Sequence, residues 1–167
     1  YAVSTNQDQN PTVTVEDGGA TLHIVGNGWK KIDFPYNVTQ NTILEFDFGS
    51  NTEGEIHGIG FDNDDDQSGE FTFELYGTQT WGVQDYNTYA SSSGLKHYRI
   101  PVGQYYTGNM LYLFFVHDHD VANPDGESVF ANIRVYEDTT PKLDLNSYQI
   151  ESYASSTNQD QNPTVTI

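Results

Sequence analysis

What the 167-residue sequence lacks already narrows its possible partners. It contains no cysteine, so no disulfide stabilises the fold and no cysteine nucleophile is present. Only 6 Lys and Arg residues stand against 24 Asp and Glu residues, which gives a formal net charge of −18 at pH 7. Nucleic-acid phosphates and anionic membrane surfaces both require clustered Lys and Arg, so we expect neither as a partner. No apolar run approaches the roughly 20 residues of a membrane-spanning helix.

Aromatic residues are abundant, at 14 % of the chain. An acidic disordered chain would be poor in them, so we expect a folded domain stabilised by core burial. Period-two alternation of apolar and polar residues predicts antiparallel strands over residues 22–24, 44–48, 71–75 and 98–102.

Two further segments predict strands of other kinds. Residues 110–116 (MLYLFFV) are apolar on both faces, as expected of a central strand. Residues 128–136 predict a strand that places Val129, Ala131, Ile133 and Val135 on one face. With turn clusters of Gly, Asn, Asp and Ser between the runs, the pattern predicts an all-β antiparallel sandwich, a jelly roll of about ten short strands.

A duplication defines the domain organisation. Residues 1–15 and 153–167 are identical at 13 of 15 positions, with Val3/Ser155 and Val15/Ile167 as the exceptions. We therefore expect a whole-domain repeat in a longer parent chain. Because Tyr1 lies inside a repeated motif, the lack of a signal peptide in this sequence says nothing about export. The predicted organisation is a sandwich domain over residues 1–138, a linker over 139–142 and the start of the next copy over 143–167.

Two arrangements of the duplicated segment remain open. In the first, residues 143–152 complete the sandwich as a permuted strand, which the usual closeness of domain termini allows. In the second, residues 153–167 pair with a neighbouring molecule by strand exchange.

Aromatic residues among polar ones suggest a sugar-binding surface. Sugar rings stack their C–H patches on aromatic faces, and their hydroxyl groups need amide and carboxylate partners. Alternation over residues 29–34 predicts that Trp29 is exposed while Ile32 and Phe34 point inward. The candidate ligand-binding residues are Trp29, Tyr76, Gln79, Trp81, Asp85, Tyr86, Asn87 and Tyr89. The alternative is that these rings only cover the ends of the sandwich.

Two acidic runs suggest a cation site. Carboxylates packed this densely repel one another, and Ca²⁺, which takes 6–8 oxygen ligands, would relieve the repulsion. Neither run has the spacing of an EF-hand loop, and the alternative is a pair of solvated acidic turns. The candidate ligands are Asp62, Asp64, Asp66, Glu70, Asp118, Asp120 and Asp125.

Catalytic patterns are weak. Glu45 and Asp47 share a predicted strand face, but no third acid completes the pattern of jelly-roll glucanases, and His57 only faintly matches a lyase motif. For His117 and His119 we expect hydrogen bonds to carboxylates rather than a zinc site.

Several segments together resemble carbohydrate-binding modules that are appended, often in tandem, to secreted bacterial polysaccharide-degrading enzymes. These segments are residues 26–32 (GNGWKKI), 44–50 (LEFDFGS), 54–64 (GEIHGIGFDND), 103–108 (GQYYTG), 113–120 (LFFVHDHD) and 130–137 (FANIRVYE). The similarity covers most of residues 14–138. It implies a non-catalytic, extracellular β-sandwich, often with structural calcium, in which Trp29, Tyr76 and Trp81 contact the ligand.

The sequence thus predicts a secreted or cell-surface module that binds a plant or algal cell-wall polysaccharide, with Ca²⁺ as its cofactor. The parent chain would carry further repeats and, in an enzyme, a catalytic domain. The alternative is a calcium-stiffened repeat of a bacterial surface adhesin. A β-sandwich polysaccharide lyase or hydrolase is the third hypothesis.

Overall fold

The structure, a computed structural model, describes residues 1, 6–9, 11–91, 93–141, 143–151 and 164–166. Within these residues, nine strands form two antiparallel sheets. The strands are β1 (Thr12–Glu16), β2 (Thr21–Val25), β3 (Gly28–Val38), β4 (Thr42–Gly49), β5 (Ile56–Asp62), β6 (Thr72–Tyr76), β7 (Lys96–Ile100), β8 (Gly108–Asp118) and β9 (Glu127–Glu137). The predicted all-β sandwich is confirmed.

The strand order identifies the sandwich as a jelly roll. One sheet has the order β1-β2-β9-β4-β7, and the other has the order β3-β8-β5-β6. From β2 onward, consecutive strands cross from one sheet to the other, as in the Greek keys of this architecture, except that β5 and β6 are neighbours in the same sheet. No helical segment in the described part of the chain is long and apolar enough to span a membrane.

Alternating apolar residues from both sheets fill the core. On β4, Phe46 and Phe48 are fully buried, and they meet Phe130 of β9 with ring centroids 6.3 and 5.2 Å apart. Strand β8 pairs with β3 on one side and β5 on the other, so the predicted central strand over residues 110–116 is confirmed. Over residues 113–116 the strand is buried on both faces, which explains the continuous apolar sequence there, whereas Leu111 is exposed.

Strand β9 differs from its predicted facing. Phe130, not Val129, points into the core, and Ile133 and Val135 then pack against the same core from beyond a bulge. The bulge lies at Asn132, whose φ of 54° is in the left-handed region, and the pairing with β4 shifts there. One extra residue reverses the facing of all the residues that precede it, which simple alternation cannot predict.

The outer face of the four-stranded sheet carries a second, smaller apolar cluster. Trp29, Ile56, Phe114 and Val116 are buried there, and Tyr1 and Trp81 pack over them. Trp29 is only 2 % exposed, whereas Ile32 on the same strand is 49 % exposed. The predicted exposure of Trp29 and burial of Ile32 are therefore wrong, because distant segments cover Trp29 and Ile32 lies at the open edge of the sandwich.

The chain beyond β9 adds no strand among its described residues. Residues 143–151 are exposed and form one short 3-10 turn, Leu145–Ser147, closed by local hydrogen bonds to Asp144. The described residues 143–151 pair with no strand of the sandwich, and Ser152 lies outside the described residues. The permuted strand stays a prediction from the sequence. In the duplicated segment, residues 153–163 and 167 lie outside the described residues as well.

Candidate functional site

A cleft of about 340 Å³ opens on the outer face of the four-stranded sheet. Its lining combines two indoles with amide and carboxylate side chains. The lining residues are Gln7, Trp29, Ile56, Asp66, Gln67, Trp81 and Asp118.

Two tryptophans form the aromatic part of the cleft. Trp81 is half-buried, and its ring meets that of Trp29 edge to face, with centroids 5.0 Å apart. The Nε1–H group of Trp29 donates a hydrogen bond to Oδ1 of Asp118 over 3.1 Å. Trp29 thus forms the fixed floor of the cleft, and Trp81 is the indole that remains partly open to solvent.

Asp118 brings a carboxylate to the floor of the cleft. Burial raises its pKa, and the hydrogen bond from Trp29 partly opposes that rise. The neighbouring carboxylates of Asp120 and Glu55 raise the pKa further. A buried carboxylate beside an indole can accept a hydrogen bond from a ligand hydroxyl in surroundings where water competes little.

The loop that carries Trp81 is anchored by the buried carboxylate of Glu74 on β6. Glu74 accepts hydrogen bonds from the backbone N–H of Trp81 over 2.6 Å, from Nε2 of Gln84 over 2.6 Å and from Nδ2 of Asn87 over 2.9 Å. Burial raises the pKa of Glu74, while the hydrogen bonds from Gln84 and from the backbone of Trp81 oppose the rise. Glu74 therefore fixes the position of the half-open indole.

Sequence reasoning missed Glu74 as a residue of the site. Alternation on β6 placed it on a solvated face, but the loop that follows the strand covers that face. The amide-rich composition of residues 76–89 was the available signal, because amide side chains can donate to a buried carboxylate.

A tight acidic turn forms the opposite rim of the cleft. Asp62, buried at the end of β5, accepts hydrogen bonds from Tyr1 Oη over 2.7 Å and from the backbone N–H groups of Asp64 and Asp65 over 3.0 and 3.2 Å. Lys31 forms an ion pair with Asp65. This network fixes the turn whose next residues, 66 and 67, line the cleft.

The structure brings together two of the eight predicted ligand residues, Trp29 and Trp81. Three predicted tyrosines pack against the main core instead, and Tyr89, 8 % exposed, uses its hydroxyl to bind the backbone at Ser50 and Gly94. The expected outward display is wrong for Tyr89, which is buried, whereas Tyr76 and Tyr86 are half-buried and pack against the main core.

The three predicted polar ligand residues are engaged elsewhere. Gln79 donates to Glu55 over 2.7 Å, Asp85 accepts from Tyr105 over 2.8 Å, and Asn87 donates to Glu74. They lie outside the cleft. Gln7, Gln67 and Asp66 supply its amide and carboxylate groups instead.

The predicted calcium ligands do not converge. Among the residues that the structure describes, no group of three or more His, Cys, Asp or Glu side chains could hold a metal ion. Asp62 and Asp64 accept hydrogen bonds inside their own turn, Asp118 accepts from Trp29, and Asp120 lies beside Glu55, which raises its pKa. The exposed side chains of Asp66, Glu70 and Asp125 complete no ligand set, so calcium binding stays a prediction from the sequence.

The histidines on β5 and β8 lie in the interior. His57 and His117 are fully buried, and Nδ1 of each lies within 2.8 Å of Oγ of Ser128 on the opposite sheet. The predicted carboxylate partner of His117 is wrong. His119 accepts from the backbone N–H of Gly126 over 2.9 Å and lies 3.8 Å from Asp125.

The acids considered for catalysis are held by other side chains. Glu45 accepts hydrogen bonds from Tyr136 and Arg134, which lower its pKa. Asp47 accepts from Asn132 and His97, each over 2.8 Å, and its pKa is lowered by the same bonds. Neither acid lies in the cleft.

Comparisons with known proteins show only distant likenesses. No protein-family model matches the chain, and no curated protein matches it. The crystal structure of the glycoside hydrolase domain of Endo-D from Streptococcus pneumoniae R6 superposes with a TM-score of 0.47 and 12 % identity, covering 80 % of this chain and 20 % of that chain. A family 30 carbohydrate-binding module superposes with a TM-score of 0.39 and 18 % identity, covering 77 % of this chain and 83 % of that chain. Likenesses at this level carry no functional information, so function is inferred from the cleft.

Proposed function

We propose that this domain is a non-catalytic module that binds a polysaccharide in the cleft between Trp81 and the acidic turn. One observation carries the proposal: a half-open indole is held in place beside a buried carboxylate and amide groups. An aromatic face offers large contact area at low entropic cost, which suits the C–H face of a sugar ring. The amides of Gln7 and Gln67 and the carboxylates of Asp66 and Asp118 are suitable partners for hydroxyl groups.

The size and charge of the cleft favour a neutral sugar segment. A volume of about 340 Å³ lies at the lower end of the usual range for small-ligand sites, which is enough for a short stretch of a chain. Among the described residues that line the cleft there are two carboxylates and no basic side chain, so an acidic sugar would be repelled. Binding at one such cleft is expected to be weak, and tandem copies would raise retention through effective concentration.

A neutral glycan of a plant or algal cell wall, met outside the cell, fits both this chemistry and the sequence resemblance. A spacer domain of a surface adhesin is the second hypothesis, favoured by the near-identical repeat and the charge of −18. An enzyme is the third, and the burial of His57 and the pairing of Glu45 away from the cleft argue against it.

Replacement of Trp81 by alanine tests the proposal. Binding is measured by retention on insoluble cellulose, xylan, agar, alginate and chitin, together with a urea unfolding curve. We expect Trp81→Ala to abolish retention on the polysaccharide that binds the parent protein. The unfolding free energy should fall by only about 1–2 kcal/mol, because the indole is half-buried.

Tyr148→Ala is the matched control, since Tyr148 is an exposed aromatic residue on the segment beyond β9. It should keep full retention. Retention that survives in Trp81→Ala would show that the glycan binds outside the cleft. An absence of retention on every glycan would support the spacer hypothesis. Turnover of a polysaccharide that is lost in Glu45→Gln or His57→Ala would support the enzyme hypothesis.

A further inference from the structure

We propose that Asp118 selects sugars that present a free hydroxyl group to the cleft, and that sugars substituted at that oxygen are rejected. The substituted sugars are O-methyl ethers, O-acetyl esters and sulfate esters. This inference rests on the proposed function and names the class of polysaccharide that the cleft binds. Asp118 is then a specificity-determining residue, in addition to its contact with Trp29.

Backbone contacts fix Asp118 at the end of β8. Asp118 pairs with Ile56 of β5, and its carbonyl accepts a hydrogen bond from the backbone N–H of Glu55 over 2.7 Å. The residue is only 9 % exposed, and it lines the cleft. A polar group on a strand is held more precisely than one on a loop. The carboxylate is therefore presented to a ligand in a fixed position.

The two oxygens of the Asp118 carboxylate have different surroundings. Oδ1 accepts a hydrogen bond from Nε1 of Trp29 over 3.1 Å. Among the described residues, no other side chain donates to this carboxylate, so Oδ2 has no protein donor there. An ionised carboxylate oxygen can only accept a hydrogen bond. The ligand group that meets Oδ2 must therefore be a donor.

The surroundings of Asp118 make such a donor valuable. Burial takes water from the carboxylate, and the carboxylates of Asp120 and Glu55 act on it in the same direction, so its pKa is raised, with only partial opposition from Trp29 and His119. A buried acceptor that is left unpaired costs more free energy than the same hydrogen bond contributes when it is formed. A ligand that covers Asp118 without donating to it is consequently penalised.

The opposite rim of the cleft also favours donors on the ligand. Nε2 of Gln67 donates to the carbonyl of Tyr1 over 3.0 Å, so part of the donor capacity of this amide is already used. Asp66, whose side chain is exposed, adds a second carboxylate to the lining. The described lining thus offers carboxylate oxygens on both sides of a bound sugar.

Only a free hydroxyl group matches this lining. A hydroxyl group donates one hydrogen bond, whereas the oxygen atoms of a methyl ether, an acetyl ester or a sulfate ester only accept. A sulfate group would in addition be repelled by Asp66 and Asp118. A site built to bond a hydroxyl group rejects analogues that lack it more strongly than an apolar pocket rejects a difference in size. We therefore expect the ligand to be an unsubstituted polysaccharide.

The variant Asp118→Asn tests the inference with a single change of atom type. The asparagine oxygen can still accept from Trp29, so the floor of the cleft is kept, while an NH₂ donor replaces Oδ2. The probes are tetrasaccharides of whichever of cellulose, xylan, agar or chitin retains the protein, and their fully O-methylated derivatives. Dissociation constants at neutral pH give an affinity ratio, free over methylated, for each protein.

We expect the parent protein to prefer the free tetrasaccharide, and the affinity ratio to fall by about ten-fold or more in Asp118→Asn. The size of the added methyl groups affects both proteins alike, so it cancels when the ratios are compared. A purely structural role of Asp118 would weaken the binding of both probes equally and leave the ratio unchanged.

Asp120→Asn is the matched control, because it removes the same charge from an exposed residue two positions away that does not line the cleft. Its affinity ratio should equal that of the parent protein. An equal fall in both variants would assign the preference to net charge and overturn the role of Asp118.

An unchanged ratio in Asp118→Asn overturns the inference, and if Trp81→Ala still abolishes retention, the proposed function stands. Retention on no glycan refutes the proposed function itself. If the methylated probe binds neither protein, affinity for the free tetrasaccharide decides: a loss of about ten-fold in Asp118→Asn alone supports the inference, and no loss overturns it. If Asp118→Asn does not fold, Asp66→Asn repeats the comparison on the opposite rim, where a ratio that does not fall overturns the inference.

Discussion

Trp29 and Asp118 stabilise each other at the floor of the cleft. The indole N–H satisfies a carboxylate oxygen that has lost most of its water, and the carboxylate holds the ring edge-on to Trp81. A buried acceptor that loses its donor costs more free energy than the same bond contributes when it is present. At the scale of single residues, this pair is therefore the most sensitive part of the site.

Substitution of Trp29 by phenylalanine isolates that hydrogen bond. Phenylalanine keeps much of the apolar contact but donates nothing to Asp118, so we expect the unfolding free energy to fall by about 1–3 kcal/mol in urea titrations at neutral pH. The pKa of Asp118, already raised by burial, should rise further, which NMR titration of the carboxyl group would detect. Trp81→Phe is the control, since its indole donates to no buried carboxylate in the described structure. A pKa of Asp118 that does not move in Trp29→Phe would show that the bond is unimportant.

At the scale of elements, two long-range arrangements determine the site. The loop after β6 folds back onto β6 because Glu74 accepts hydrogen bonds from three residues of that loop. The sheets are joined in the interior through Ser128 of β9, which lies within hydrogen-bond distance of His57 on β5 and His117 on β8. Both arrangements bury ionisable groups, so both make stability depend on pH.

The buried histidines predict acid destabilisation. Burial lowers the pKa of His117 to about 4 and that of His57 well below its usual value. As the pH falls, these histidines are protonated in the unfolded chain at a higher pH than in the folded protein. Their contribution to the unfolding free energy is therefore complete above about pH 6.5 and is lost as the pH falls toward 4. For His117 alone the loss should approach about 3 kcal/mol.

Unfolding curves between pH 7.5 and 4.5 measure this loss, with His117→Gln as the comparison. The carboxylates titrate in both proteins, so the difference between the two curves reports His117. We expect the difference in stability to shrink steadily below pH 6.5. A difference that stays constant with pH would contradict the assignment.

The strands could be predicted from the sequence more fully than the site. Alternation located β4, β6 and β7 and the central position of β8, because each of these signals lies within a few residues. The facing of β9 could not be predicted, since one bulge at Asn132 reverses it. The burial of Trp29 could not be predicted either, because the residues that pack over it are distant in sequence. They are Tyr1 and Trp81, and Trp81 lies 52 positions further along the chain. Trp81 itself was found because it lies in a polar segment that has no strand pattern.

At the scale of the whole molecule, the net charge of −18 acts on the fold through self-repulsion. Salt screens that repulsion, with a Debye length of about 30 Å at 0.01 M and about 8 Å at 0.15 M. We therefore expect the melting temperature to rise when NaCl is raised between these concentrations, as measured by calorimetry. A melting temperature that falls would indicate that ion pairs, such as Lys30 with Asp8, dominate the electrostatic contribution.

The same measurement tests the calcium prediction. CaCl₂ and MgCl₂ at equal ionic strength screen the repulsion equally, so only a specific site distinguishes them. A melting temperature that is higher in CaCl₂ and returns to the MgCl₂ value after EDTA would confirm calcium binding. Equal melting temperatures would contradict it and favour solvated acidic turns.

The central claim is that a sugar ring meets Trp81 in the cleft. The chain contains two tryptophans, so its ¹H–¹⁵N spectrum has two indole signals, which Trp81→Phe assigns. During titration with soluble oligosaccharides of the retained polysaccharide, we predict a progressive, saturable shift of the Trp81 signal and a smaller shift of the Trp29 signal. If neither indole signal moves at sugar concentrations that release the protein from the insoluble glycan, the sugar binds elsewhere and the account of the cleft is wrong.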